Sequence, residues 1–162
     1  MSYIHRSNKG FTLIELLVTV AIVGVMASVV LPMMELVVQR NKEHELHAAL
    51  REIRGALDAY RAAVQEGRIA HSPAVSGYPP NLTILVEGVD DARSPGSKSR
   101  IYFLRRIPRD PFSSDNEITA EKQWGIRSYT SSADAPDAGE DVYDVYSRSS
   151  GVGMNGLAYK DW

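Results

Sequence analysis

Glu15 is the first residue whose type and position ask for a chemical explanation. It is the one charge in the run from Phe11 to Leu31, FTLIELLVTVAIVGVMASVVL. A carboxylate inside hydrocarbon costs about 2.5–3.5 kcal/mol on insertion scales unless it finds a partner. A single apolar helix offers none, so Glu15 either snorkels to the nearby interface or meets a cation on another chain. The other titratable groups are less demanding. His44 and His47 stand three apart, a spacing that lets two imidazoles share a metal, but no third ligand lies near them and they read as solvated. Glu87, Asp90 and Asp91 fit a solvated turn better than a pair of catalytic acids. Arg100, Arg105, Arg106 and Arg109 lack the interleaved stacking residues of a nucleic-acid face. No nucleophile pattern or phosphate-binding glycine loop occurs, so the sequence offers an enzyme little to work with and none is expected.

The 162 residues carry a net charge of −2 and no cysteine, which leaves no global pull toward nucleic acid and no disulfide, thiolate or cysteine-zinc chemistry. The element that must position Glu15 is the apolar run itself. At about 1.5 Å per residue its helix spans roughly the 30 Å hydrocarbon core of a bilayer. Ahead of it stand His5, Arg6 and Lys9 with no acid, so the positive-inside rule keeps this end cytoplasmic and sends the remainder across the membrane. Gly24 lies inside the run and Pro32 at its end, where the proline removes the hydrogen bond to the Ser28 carbonyl. A kink or loosened turn is expected there, with Ser28 to Pro32 as the candidate hinge.

Lys9-Gly10-Phe11-Thr12-Leu13-Ile14-Glu15 resembles the class III signal of type IV pilins and type II secretion pseudopilins. The resemblance implies a leader over residues 1–10, cleavage between Gly10 and Phe11 by a prepilin peptidase, and N-methylation of the new Phe11 amine. It also implies a helix kept on the mature protein as a transmembrane and assembly segment over 11–32. The Phe11 amine of a neighbouring copy would then pair with Glu15 and set the register of a helical filament. Phe11, Glu15, Gly24 and Pro32 are accordingly the expected assembly residues.

Past Pro32 the chain becomes amphipathic. Leu46, Leu50, Ile53, Leu57, Tyr60 and Val64 recur at spacings of four and three beside Ala49, Ala56 and Ala63, which predicts one apolar stripe on a helix over 33–67, stopped by Gly67. Glu43, Glu45, Arg51, Glu52, Arg54, Asp58 and Arg61 are assigned to the opposite, polar face. The stripe lasts only about three heptads, so it is expected to pack on the chain's own sheet rather than in a coiled coil. Residues 68–162 form the expected globular, periplasmic part. Asn81 is a cap for a short helix after Pro79-Pro80, and Ile107 to Phe112 is a turn whose prolines preclude a central strand. Short strands are expected at Trp124–Tyr129, Val142–Tyr146 and Leu157–Tyr159, with Tyr143, Val145, Ile126 and Tyr129 covering the stripe and Trp162 tying down the terminus. The fold class is therefore α+β, a long N-terminal helix on a small antiparallel sheet.

Tyr78-Pro79, Leu82, Leu85, Leu104, the run Ile107-Pro108-Arg109-Asp110-Pro111-Phe112 and Tyr143-Asp144-Val145-Tyr146-Ser147 are similar in order and spacing to the major, G-type pseudopilins of type II secretion. This implies a subunit of a filament built from the inner membrane that helps move folded proteins across the outer membrane. Its partners would be copies of itself, minor pseudopilins, the prepilin peptidase and an inner-membrane assembly platform, with no nucleic acid. A type IV pilus subunit for adhesion, motility or DNA uptake is the alternative. One departure concerns calcium, which the family binds in an acidic, glycine-rich loop. Here Ser147 to Gly156 lacks the carboxylates, and Asp144, Ser147, Asn155 and Asp161 are the donors left within reach. The acidic loop Asp134 to Asp141 is a weaker substitute.

Overall fold

The computed structural model describes residues 10–70, 76–94, 99–115 and 117–162. The leader residues 1–9, parts of the two polar connections at 71–75 and 95–98, and position 116 lie outside the described residues. The chain divides into two compact units, Met1–Arg40 and Asn41–Trp162.

The first unit is helical from Leu13, within the helix α1 (Leu13–Gln65). Its most apolar 18-residue window has a mean hydropathy of 2.5 and buries none of its residues in the chain. Phe11, Leu13, Ile14 and Val25 are 91%, 76%, 64% and 68% exposed. Such a surface is stable only against lipid or other protein. The helix assignment passes through Ser28 to Pro32 unbroken; the Ser28 hydroxyl donates back to the Val25 carbonyl at 2.7 Å, while the Pro32 side chain lies outside the described residues. Helical turns continue because a proline forfeits one hydrogen bond without forbidding those on either side of it.

In the second unit the stripe is the core. Leu46, Leu50, Ile53 and Leu57 are at most 1% exposed, with Ala49, Ala56, Tyr60 and Ala63 buried beside them. They pack with Leu82, Leu85, Leu104, Trp124, Val142, Val145 and Tyr159, so the periodicity reads out as core contact with the chain's own later elements. The helix stops where Gly67 enters the left-handed region at φ 69. Its N–H reaches the Val64 carbonyl and that of Arg68 the Ala63 carbonyl, both at 2.9 Å. These two bonds form a Schellman motif, and only glycine takes that φ without strain.

The later elements are short. Helix α2 (Thr83–Glu87) starts where the Asn81 side chain accepts the Ile84 N–H at 3.0 Å, as the cap reading expects. Strand β1 (Val89–Asp90) pairs antiparallel with β2 (Arg100–Ile101). Helix α3 (Ala120–Gln123) leads into β3 (Trp124–Arg127), which pairs antiparallel with β4 (Asp144–Ser147) in the register Trp124↔Ser147. The α+β class holds, with the expected small sheet divided into these two ladders. The polar, proline-bearing segments between them supply no strand to join them. Leu157–Tyr159 is not a strand: Ala158 makes one bridge to Val152, and Tyr159–Asp161 is a 3-10 turn. Tyr129 lies 50% exposed rather than covering the stripe, its ring stacked 6.0 Å from that of Tyr78.

Candidate functional site

At the head of the apolar helix, Thr12 and Glu15 close a capping box. The Thr12 N–H and hydroxyl donate to Glu15 Oε2 at 2.8 and 3.0 Å, the Glu15 N–H approaches the Thr12 hydroxyl oxygen at 3.3 Å, and the Thr12 carbonyl accepts the first helical bond from Leu16. The pattern T-x-x-E ahead of an apolar run is the sequence signature of this cap. It was legible in TLIE and supplies Glu15 with donors from its own chain. Phe11 is almost fully exposed beside it. Among the described residues, a Cβ placed on Gly10 or Gly24 would meet nothing within 4 Å, so no contact there demands glycine at either position.

The second region is where α1 meets the last strand and the C-terminal segment. Two residues assigned to the polar face, Glu43 and Arg54, belong to this contact instead, and a third, Arg61, is bonded to Tyr78, which precedes β4. Glu43 Oε1 accepts the Met154 N–H at 2.9 Å and the Tyr159 hydroxyl at 3.1 Å. Arg54 Nε donates to Asp144 Oδ1 at 2.8 Å, and its Nη2 donates to the main-chain oxygens of Val145 and Trp162 at 3.0 and 2.7 Å. Arg61 donates to the Tyr78 hydroxyl at 2.8 Å and lies over the rings of Tyr78 and Tyr129, and that hydrogen bond holds its guanidinium pKa above the usual value. Each sits three or four residues from a stripe leucine: Glu43 before Leu46, Arg54 after Leu50, Arg61 after Leu57. That neighbourhood on the helix surface was the available signal.

Trp162 does fasten its segment, stacked on His47 at 4.2 Å and edge-on to Tyr159. His44 is exposed, and among the described residues no three His, Cys, Asp or Glu side chains gather as a metal site. Asp110, within the turn that resembles the pseudopilins, is buried and accepts the Ser147 hydroxyl at 2.6 Å and the Phe112 N–H at 2.8 Å. The Trp124 indole N–H ties the same turn down through the Pro108 carbonyl at 2.9 Å. In the loop 134–141, Asp141 accepts the Tyr129 N–H at 2.9 Å and the Ser76 hydroxyl.

Residues 5–31 match the family model of the prokaryotic N-terminal methylation motif. The chain is 29% identical over 124 residues to a Klebsiella pneumoniae type II secretion system core protein G, covering 74% of this chain and 80% of the relative. It is 27% identical over 138 residues to the protein of that name in Pseudomonas aeruginosa, covering 85% and 92%, and 29% identical over 142 residues to that in Vibrio cholerae, covering 83% and 87%. No solved structure matches at comparable significance. The chain thus matches the prokaryotic N-terminal methylation motif at the head of its bare apolar helix and is similar along most of its length to the type II secretion system core proteins G.

Proposed function

We propose that this protein is the repeating subunit of a type II secretion pseudopilus. The observation that carries the reading is the apolar segment from Leu13, which buries nothing within its own chain and carries a single acid, Glu15, in its first turn. Before assembly that surface is solvated by lipid, with the N-terminus cytoplasmic and the domain from Asn41 in the periplasm. After cleavage at Gly10 the Phe11 amine is a new cation, and Glu15 of an adjacent copy is its partner. The capping box keeps the Glu15 carboxylate hydrogen-bonded until then. The helices of neighbouring copies replace lipid around the segment, with Ser28 to Pro32 as the turn that adjusts on assembly. Minor pseudopilins, the prepilin peptidase and an inner-membrane platform are the partners that this role requires.

Mass spectrometry of the membrane fraction should find the chain starting at N-methylated Phe11. Deleting the gene should stop secretion of folded periplasmic substrates while leaving surface pili intact. Loss of surface pili with secretion unimpaired would instead assign the chain to a type IV pilus.

A further inference from the structure

The residues within reach of a calcium ion are not gathered as a ligand set. Successive side chains of a strand leave opposite faces, and on β4 Ser147 is wholly buried and bonded to Asp110 whereas Asp144 stands on the half-exposed face. Asn155 Oδ1 accepts the Leu157 N–H at 3.0 Å. Both Asp144 oxygens meet guanidinium groups, Oδ1 that of Arg54 at 2.8 Å and Oδ2 that of Arg127 at 3.0 Å. Asp161 lines a cleft of about 310 Å³ together with Asp134 and Asp144 and with the cations Arg54, Arg127 and Lys160, so that acids and bases line it three and three. Calcium takes six to eight oxygens, several of them anionic. This donor set, neutralised by its own cations, does not fit it.

The oxygens here are gathered by Arg54. From one position on α1 its guanidinium holds a carboxylate oxygen of β4, a carbonyl of β4 and the main-chain oxygen of Trp162, at 2.7–3.0 Å. A guanidinium suits this because its donors form a rigid planar fork. Glu43 stands eleven residues earlier, about three helical turns, and so on the same side of α1. It holds the intervening segment through Met154 and Tyr159. We propose that Arg54 is a built-in replacement for a divalent cation: with Glu43 it fastens residues 148–162 to α1, and the order of that segment does not depend on calcium. The clamp concerns the folded subunit and is independent of which filament the subunit enters.

The test is thermal unfolding and limited proteolysis of the full chain in detergent, with excess calcium chloride or with EDTA. The wild type should have the same Tm and the same resistance to cleavage within residues 148–157 in both. Arg54→Met should lower Tm by about 5–10 °C, the scale set by losing charge-assisted hydrogen bonds in a small domain, and should open that segment to cleavage with no recovery on adding calcium. Arg54→Lys, which keeps the charge and loses the fork, should also fall short of the wild type. A calcium-dependent rise in the wild-type Tm, or an unchanged Tm in Arg54→Lys, would overturn the proposal. Should Arg54→Met not fold, the two wild-type arms and Arg54→Lys still decide.

Discussion

The hydroxyl of Ser147, at the end of β4, donates to Oδ2 of Asp110 at 2.6 Å across 37 residues of sequence, with both side chains buried. The bond joins the proline turn 107–112 to the last strand, and the same carboxylate also takes the Phe112 N–H. Removing one partner from a buried charged bond leaves the other unsatisfied. Asp110→Ala should therefore destabilise the domain by about 3 kcal/mol, and Ser147→Ala by about 1.5–3 kcal/mol, in denaturant unfolding. Because the two act on one contact, the double variant should lose less than the sum.

Leu50 lies on the stripe at 1% exposure. Leu50→Ala should cost about 2–5 kcal/mol through lost burial and the cavity left behind. Leu17→Ala, at a position 56% exposed in the first unit, should leave the unfolding of the globular unit unchanged. Chemical denaturation of each variant followed by tryptophan fluorescence separates the two.

Gly125 on β3 faces Tyr146 on β4, and a Cβ there would run into the Tyr146 ring. Gly125→Ala should force the ring off its place and lower Tm. Adding Tyr146→Ala should restore part of the loss, whereas equal losses in the single and double variants would show the clash is not the cause.

The observed cap and the proposed pairing with Phe11 make separable demands on Glu15. Glu15→Ala should leave membrane insertion intact, because it removes a carboxylate from the apolar run, and should abolish filament assembly; normal filaments would sink the pairing with Phe11. Thr12→Ala should weaken the cap by about 0.5–2 kcal/mol while leaving the carboxylate available, so filaments should still form at reduced yield. Immunoblots of membrane and sheared-filament fractions read both.

Two groups give the pH limits a sign. The backbone N–H of Arg93, and then Arg68, hold the Asp91 carboxyl below its ordinary value. Its contribution is present above the unfolded carboxylate range near 3.9 and is lost as pH falls through the folded value. Burial raises the Tyr60 hydroxyl, so above about pH 10 the unfolded chain ionises first and stability falls as pH rises. Tm measured across pH should decline at both ends, and Tyr60→Phe should remove part of the alkaline decline.

The long helix, its stripe, the Gly67 stop and the Asn81 cap were legible because each is a local pattern over a few turns. Glu15 was legible as an anomaly, and its capping partner Thr12 was present in the same seven residues. The sheet pairings and Arg54 were not legible, since they depend on which distant segments the turns at 107–112 and 128–141 bring back to the helix. A charged residue at the edge of an apolar stripe looks the same in sequence whether it faces water or a strand. The pairing of Asp144 with two arginines likewise has no local signature.

The bonds that Glu43 and Arg54 make span 90 to 116 residues of sequence. During synthesis the helix is therefore complete long before its partners exist, and contacts of such separation close slowly. The contacts of Arg54 cannot all close until Trp162 itself is available. Meanwhile the stripe from Leu46 to Val64 is an exposed amphipathic surface in want of a temporary cover, so a chain shortened by even a few residues at Trp162 should emerge as a substrate for chaperones and proteases rather than as a slightly weaker subunit.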